Sequence, residues 1–323
     1  MALYFLNIKA FGRSNGSSAP SAAAYRAGER IRDERTGRTY DHSDRRDVLH
    51  KEILVPTPLA NVDMSWAKER SNLWNSAEAA ETRKNSRVAR EYLVALPSEI
   101  DLGGRVQLAR GFAQELADRY RFAVDVTVHA PRDFPGSDPR NFHAHLLATT
   151  REVGSGGLGA KTQFELNEST RRALGLGPSI EELLHVRERW ATVTNEALRE
   201  ANVAARVDHR TLRAQGIERE PRMWIPRVPY EVERRGYHSP VAERIRADYA
   251  ARAHPGRERE SEQPAKSNSI PPPSLEEARR QAVENWLRYR QEMEMAEKSQ
   301  SHELATGADA GKASHGLDDD FSL

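Results

Sequence analysis

Short stretches in which apolar and polar residues alternate predict several β-strands in the first half of the chain. The first strand covers Leu3–Lys9, where Tyr4 and Ile8 lie on one face. Further strands are predicted over Lys51–Val55, Glu91–Leu96, Phe122–His129 and Asn141–Thr150. The last two flank the turn-rich residues 130–140, so we expect them to form a hairpin and to pair in antiparallel fashion.

Apolar residues spaced three and four positions apart predict helices between these strands. A short helix begins at Ser18, has Pro20 in its first turn and is rich in alanine, and Gly28 interrupts or ends it. Longer helices are predicted over residues 65–87, 101–120 and 179–201. Residues 29–47 are densely charged, and we expect them to form a surface excursion with a turn near Gly37.

This order of elements predicts an α+β fold with a central antiparallel sheet flanked by helices. The main domain is expected over residues 1–205 and an arginine-rich closing segment over 206–250. Residues 251–273 contain few apolar residues and three consecutive prolines, which is typical of a disordered linker. A C-terminal helix over 274–300 and a disordered acidic tail over 301–323 complete the predicted organisation.

Composition excludes several classes of protein. The chain has 323 residues, of which 38% are hydrophobic and 30% charged, and it has no stretch of about 18–20 apolar residues that could insert into a membrane. Cysteine is absent, which excludes disulfide scaffolds, zinc fingers and thiol nucleophiles. The N-terminus lacks the pattern of a secretory signal, and we expect a cytoplasmic protein.

The net charge of +1 hides an uneven distribution of charged residues. Residues 205–259 contain thirteen arginines, no lysine and eight acidic residues. Arginine binds phosphate through its planar fork and stacks on bases, so this segment favours a polyanionic partner. A solvated helical face would explain the same charges equally well.

Three histidines in the predicted hairpin are the strongest sign of chemistry. His143 and His145 lie two positions apart in one strand, so they share a face. A hairpin symmetric about Gly136 places His129 directly opposite His143, and Cβ atoms of cross-strand neighbours are about 4.5–5.5 Å apart. Three imidazoles at that separation can hold one divalent ion and leave coordination positions for a substrate.

A carboxylate and a phenol complete the candidate site. Glu91 lies in a β-rich stretch and could orient a ligand imidazole through its second N–H, although a salt bridge with Arg87 or Arg90 would also explain it. The chain has no Walker A sequence, no GxGxxG and no GxSxG. Tyr25, beside Arg26, is the remaining candidate nucleophile because a metal-polarised phosphodiester suits a phenol. From the residues alone, packing is the more usual role of a tyrosine in an alanine-rich helix.

Two further tyrosines could serve instead of Tyr25. Tyr40 lies in the charged excursion and Tyr92 in a strand.

Five blocks of sequence, in order, resemble the MobA/MobL (MobQ) family of plasmid relaxases, which are HUH endonucleases. The blocks cover roughly residues 2–245: GRSNGSS with SAAAYRAGERIRDERTGRTYDHS, then VLHKEILVP, LWNSAEAAETRKNSRVAREYLVALPSEI, HAPRDFPGSDPRNFHAHLLATTREV and RERWATVTNEALREANVAARVDHRTLRAQGIEREP. Phe142 stands where the family commonly has proline, and the hairpin loop is long. Both departures leave the three histidines in place.

The resemblance implies a relaxase-type fold and assigns residues to the reaction. The family's metal-binding histidines fall on His129, His143 and His145, its nucleophilic tyrosine on Tyr25, and an acidic residue of its second motif on Glu91. Such enzymes use Mg²⁺ or Mn²⁺ to nick single-stranded or hairpin DNA at an origin of transfer. They form a 5′-phosphotyrosyl link that later allows the strand to be rejoined.

The resemblance also implies partners, namely accessory mobilisation proteins and a type IV secretion coupling protein that exports the relaxase with its strand. We expect DNA contacts from Arg13, Arg26, Arg210 and Arg213. Two other functions stay open at this point: a rolling-circle replication initiator with the same chemistry, and a catalytically inactive DNA-binding repressor. A zinc hydrolase of small molecules is disfavoured by the excess of arginine.

Overall fold

The structure is a computed structural model that describes residues 2–131, 138–221, 223 and 225–253. It divides into two units, Met1–Arg222 and Met223–Leu323. The sequence predicts that the main domain ends at residue 205, whereas the first unit extends to Arg222. The second unit is described separately below.

The first unit alternates short strands with helices. Its elements in chain order are β1 (Leu6–Gly12), α1 (Ala19–Ala27), β2 (Arg30–Arg32), β3 (Thr39–Asp41), β4 (Val48–Leu54), α2 (Ser65–Lys68), α3 (Arg70–Ala79), β5 (Arg87–Ala95), α4 (Leu102–Tyr120), β6 (Val124–His129), β7 (His143–Thr149), β8 (Arg151–Gly154), β9 (Gly157–Lys161), α5 (Glu168–Ala173) and α6 (Ser179–Glu200).

Five of these strands form one sheet in the order β1-β5-β7-β6-β4, and every neighbouring pair is antiparallel. Hairpins β2–β3 and β8–β9 form two small sheets of their own. The predicted α+β class with a central antiparallel sheet is therefore confirmed. The predicted hairpin over residues 122–150 is the β6–β7 pair at the interior of the sheet.

Strand alternation separates the two faces of the sheet. In β7, Ala144 and Leu146 belong to a core that α4 and α6 cover, where the rings of Phe112 and Trp190 lie 5.0 Å apart. Leu147 points to the other face and packs in a second core with residues of α1 and α3. Because side chains alternate along a strand, His143 and His145 share the second face with Leu147.

The single long helix predicted over residues 65–87 is wrong. The chain leaves the helical conformation at Glu69, which has an extended backbone and separates α2 from α3. The Glu69 carboxylate accepts hydrogen bonds from the backbone N–H groups of Ser71 and Asn72. It thereby caps α3, and this local bond outweighs the continuous helical periodicity.

Other differences concern the ends of elements. Strand β1 is shifted towards the C-terminus relative to Leu3–Lys9, because it pairs with β5 from Leu6 to Gly12. The charged excursion contains the β2–β3 hairpin, whose turn uses Gly37 at a φ of 72°. The β8–β9 hairpin and α5 carry no clear periodicity, and the sequence does not predict them.

In the second unit the structure describes α7 (Arg227–Arg234) and α8 (Pro240–Ala253). Helix α8 continues through residues 251–253, where the sequence predicts the start of a disordered linker. The rest of that linker, the predicted helix over 274–300 and the predicted acidic tail over 301–323 lie outside the described residues. Among the described helices, none is both long enough and apolar enough to cross a bilayer.

We predict that Glu69→Ala lowers the free energy of unfolding by about 1 kcal/mol, because α3 loses the side chain that caps its N-terminus. Urea denaturation followed by circular dichroism measures the change. Lys68→Ala is the matched control, since Lys68 is an exposed neighbour that does not cap α3. An equal effect of both substitutions would contradict the capping role.

Candidate metal centre

The three predicted histidines meet on one face of the β6–β7 hairpin. His129 is the cross-strand partner of His143, and Thr127 is the partner of His145, so the predicted register is confirmed. The imidazole centroids of the three pairs lie 4.8–5.2 Å apart. His129 is completely buried and His145 is 9% exposed.

One ring nitrogen of each histidine is held by an oxygen. Nε2 of His129 lies 2.7 Å from the Arg26 carbonyl oxygen, Nδ1 of His145 lies 2.7 Å from Glu91 Oε1, and Nδ1 of His143 lies 3.0 Å from the Asn141 carbonyl oxygen. Each of these nitrogens must carry the proton to donate. The lone pairs therefore reside on Nδ1 of His129 and on Nε2 of the other two rings.

This arrangement fits a divalent cation. One nitrogen from each ring lies within 4.8 Å of the others, whereas two metal–nitrogen bonds of about 2.1 Å span at most about 4.2 Å. A small inward adjustment of the rings brings all three nitrogens within bonding distance. The oxygen partners behind the rings fix the ring orientations, as they do in many metal sites.

Burial keeps two of these rings neutral, as metal ligation requires. Burial, together with the charges of the neighbouring histidines and Arg45, lowers the pKa of His129 to about 2. Burial also lowers the pKa of His145 to about 4, although its hydrogen bond to Glu91 acts in the opposite direction. Both imidazoles are therefore ready to bind a cation at neutral pH.

Glu91 lies behind the histidines as a completely buried carboxylate. Its Oε1 accepts from Arg26 Nε and from His145, and its Oε2 lies 2.9 Å from Lys9 Nζ. Burial would raise the pKa of Glu91, but the Arg26 charge and the hydrogen bond from His145 outweigh it and hold that pKa well below its usual value. Glu91 is thus an ionised residue that positions His145.

The alternative pairing of Glu91 with Arg87 or Arg90 is wrong. Both arginines pair instead with Glu165. For Arg90, strand alternation explains the difference, because adjacent residues of β5 lie on opposite faces of the sheet.

Tyr25 lies in the last turn of α1, whose start Ser18 caps by accepting from the Ser21 N–H. The helix ends at Gly28, which has a φ of 58°. A Cβ at that position would lie 3.2 Å from Val48 and 3.4 Å from Arg45, so the close approach favours glycine. Arg26 follows Tyr25 in α1, and its carbonyl oxygen accepts a hydrogen bond from His129. This bond attaches the end of the helix to the histidine cluster.

The Tyr25 ring is half-buried between two polar side chains. The Arg45 guanidinium lies 4.2 Å from the ring centroid, and the His42 ring contacts it edge-on at 5.2 Å. Tyr92, by contrast, is completely buried in the core, and burial raises its pKa well above the usual value. Of the alternative tyrosines, Tyr92 therefore cannot reach a DNA strand.

The predicted DNA-binding arginines have different surroundings. Arg26 is buried and pairs with Glu91, and Arg13 donates to the Glu78 carboxylate and to backbone carbonyls. Arg210 is exposed and pairs with Asp208, and Arg213 is also exposed. The DNA contacts of these four residues stay predictions.

Sequence reasoning missed Arg45, the residue that touches both Tyr25 and His129. It lies in the densely charged excursion, between β3 and β4, next to another arginine. No pattern in the sequence distinguishes Arg45 from Arg46, because only the path of the loop brings Arg45 to the site.

Comparison with known proteins gives consistent results. The model of the MobA/MobL family matches residues 17–235. Mobilization protein MobL of Acidithiobacillus ferridurans is 37% identical over 256 residues, which cover 73% of this chain and 65% of that protein. Probable mobilization protein MobA of Bifidobacterium longum (strain NCC 2705) is 29% identical over 269 residues, which cover 73% of this chain and 45% of that protein. The chain thus spans less than two thirds of either relative.

A solved structure described as "Molecular Basis of Vancomycin Resistance Transfer in Staphylococcus aureus" has a similar fold. Its TM-score is 0.52 at 28% sequence identity, and the match covers 65% of this chain and 100% of the solved one.

We predict that the metal-free protein loses stability as the pH falls from 6.5 to 5. The two buried histidines have folded-state pKa values of about 2 and about 4, below the value of about 6.5 for an unfolded chain. The unfolded state therefore binds more protons in this range. Each of the two histidines should lower the free energy of unfolding by about 1.5 kcal/mol between pH 6.5 and 5. Urea denaturation in the presence of a chelator measures this change.

His145→Gln should reduce this pH dependence, whereas His185→Gln, which changes an exposed histidine, should leave it intact. A metal-free protein whose free energy of unfolding stays constant between pH 6.5 and 5 would contradict the neutral buried state of the cluster.

Proposed function

The chain belongs to the MobA/MobL family, and on that basis we propose that it nicks and rejoins one DNA strand at a plasmid origin of transfer. The relaxase-type fold implied by the resemblance is confirmed. One observation carries the proposal: the helix end that bears Tyr25 is hydrogen-bonded to His129 within a three-histidine cluster fit for a cation. A phenol beside such a centre is suited to attack a phosphodiester.

In the proposed reaction, Tyr25 Oη attacks the scissile phosphorus. The bond between phosphorus and Oη forms while the bond to the 3′ oxygen breaks. The strand is left 5′-linked to Tyr25, the tyrosine proton is lost, and the released 3′ oxygen takes up a proton. Because the phosphodiester energy is retained in the new link, attack by a 3′-OH in the reverse direction rejoins the strand.

The three histidines would hold Mg²⁺ or Mn²⁺, which polarises the phosphate and offsets its developing charge. Nitrogen donors suit Mn²⁺ better than Mg²⁺, since Mg²⁺ is bound mainly through oxygen. Glu91 orients His145 in this scheme. Its lowered pKa and its two cationic partners make it a poor acceptor for the Tyr25 proton.

The substrate we propose is single-stranded or hairpin DNA from an origin of transfer. Accessory mobilisation proteins and a type IV secretion coupling protein are the proposed partners. The protein would act in the cytoplasm and leave the cell attached to its strand. A rolling-circle initiator would use the same chemistry, but membership of a family of mobilisation proteins favours transfer.

We predict that wild-type protein incubated with an origin-containing oligonucleotide and Mn²⁺ forms a protein–DNA adduct that survives denaturation. Tyr25→Phe should abolish the adduct, because it removes the attacking oxygen while keeping the ring. Denaturing gel electrophoresis with a 5′- and a 3′-labelled strand detects the adduct and shows which end is attached to the protein.

Tyr40→Phe is the matched control, because it removes the hydroxyl of the partly buried alternative tyrosine and should leave adduct formation unchanged. A repressor would bind the same oligonucleotide without forming any adduct, and that result would refute the nicking function.

We also predict that Glu91→Gln lowers Mn²⁺ affinity about 10–100-fold, because the amide removes the charge that orients His145. Isothermal titration calorimetry without DNA measures the affinity. Glu165→Gln is the control, since this side chain is only 3% exposed and pairs with Arg90 on the other face of the sheet. Equal losses in both variants would show a general effect on folding instead.

A further inference from the structure

Arg45 connects the candidate nucleophile to the metal centre. Its Nη1 donates to the Tyr25 carbonyl oxygen at 2.9 Å, and its guanidinium covers the Tyr25 ring. On the other side, Nε and Nη2 bind the two carboxylate oxygens of Asp47. The side chain is 11% exposed, so it lies at the border between the interior and the site.

A fourth contact of Arg45 is weaker and more informative. Nη2 lies 3.4 Å from Nδ1 of His129, a long distance for a hydrogen bond. Since Nε2 of His129 donates to the Arg26 carbonyl, Nδ1 holds the lone pair that a cation would take. Arg45 therefore contacts the very atom that metal binding requires.

A buried structural arginine elsewhere in the same fold shows a different pattern. Arg70 donates to Asp125 and Glu29 over 2.6–2.9 Å, and all of these acceptors are carboxylate oxygens. Arg45 also binds a carboxylate, that of Asp47, but directs its remaining Nη2 N–H at the uncharged His129 Nδ1 over a long distance of 3.4 Å. This donor is the one that a better acceptor, such as a phosphate oxygen, would capture.

We propose that Arg45 is a phosphate-binding residue of the nicking centre. When the cation and the DNA are both bound, the Arg45 side chain turns from His129 onto a non-bridging oxygen of the scissile phosphate. The inference rests on the proposed function. The Arg45 guanidinium and a cation on His129 would lie close together and repel each other, and anions near both reduce this repulsion. The Asp47 carboxylate already binds Arg45 and lies 3.9 Å from His129 Nδ1. A phosphodiester would supply a second anion, and guanidinium is well suited to it because its donors form a planar fork.

The position of Arg45 should make it weaken cation binding when DNA is absent and strengthen it when DNA is present. Without DNA, Arg45 competes with the cation for His129 Nδ1 and repels it. With DNA, Arg45 and the cation share the phosphate and reinforce each other. Mn²⁺ and oligonucleotide should therefore bind cooperatively, and each should raise the affinity for the other by the same factor.

The test compares Arg45→Gln with Arg46→Gln, both in a Tyr25→Phe background that prevents covalent attachment. Arg46 is the exposed neighbour, so the two variants lose the same charge one position apart. Calorimetry gives Mn²⁺ affinity without DNA, and fluorescence anisotropy gives oligonucleotide affinity at saturating Mn²⁺ and with chelator. Circular dichroism melting confirms that each variant is folded.

For Arg45→Gln we expect Mn²⁺ affinity without DNA to rise severalfold, and oligonucleotide affinity with Mn²⁺ to fall at least tenfold, as for the loss of a charged hydrogen bond. The cooperativity between the two ligands should disappear. Arg46→Gln should change each value less than threefold. Arg45→Lys, which keeps the charge but loses the fork, should recover only part of the DNA affinity.

If Arg45→Gln matches Arg46→Gln in all three measurements, or if it weakens Mn²⁺ binding without DNA, the inference is overturned and Arg45 is a structural residue. Failure of the proposed function would give a different result, because the protein with Tyr25 intact would then form no adduct whatever residue occupies position 45.

Discussion

A carboxylate that is completely withdrawn from water must meet positive charge or hydrogen-bond donors inside the protein, and Glu91 meets both. It lies on β5, next to the strand that carries two of the histidines. It holds Arg26 of α1 on one side and His145 on the other. This one ionised group therefore ties the helix that bears Tyr25 to the strands that bear the three histidines. Loss of its charge would leave Arg26 buried without compensation.

The sheet makes this arrangement possible because different groups of residues pack against its two faces. One face is covered by α4 and α6 and carries a large apolar core, with the Arg90–Glu165 pair on the same side. The other face combines small residues of α1 with a network of buried charges, such as Arg70 on Asp125. Apolar packing on the first face supplies the stability that polar groups on the second do not.

Much of the fold and of the histidine cluster could be predicted from the sequence because both depend on local spacing. The alternation in β6 and β7 fixes which histidines share a face, and the cap at Ser18 and the glycine at position 28 delimit α1. The break at Glu69 could not be predicted, since a glutamate that caps a helix resembles any surface glutamate. The contacts of Arg45 with Tyr25 and His129 could not be predicted either, because they depend on the tertiary path of a charged loop.

The order of the strands also has a consequence during synthesis. Strand β1 and helix α1 leave the ribosome first, but β1 pairs with β5, and β5 in turn pairs with β7. The nascent chain cannot complete the histidine cluster until β7 has been made and has left the exit tunnel. An incomplete polypeptide thus carries Tyr25 without the histidines and the buried carboxylate that surround this helix end in the folded chain.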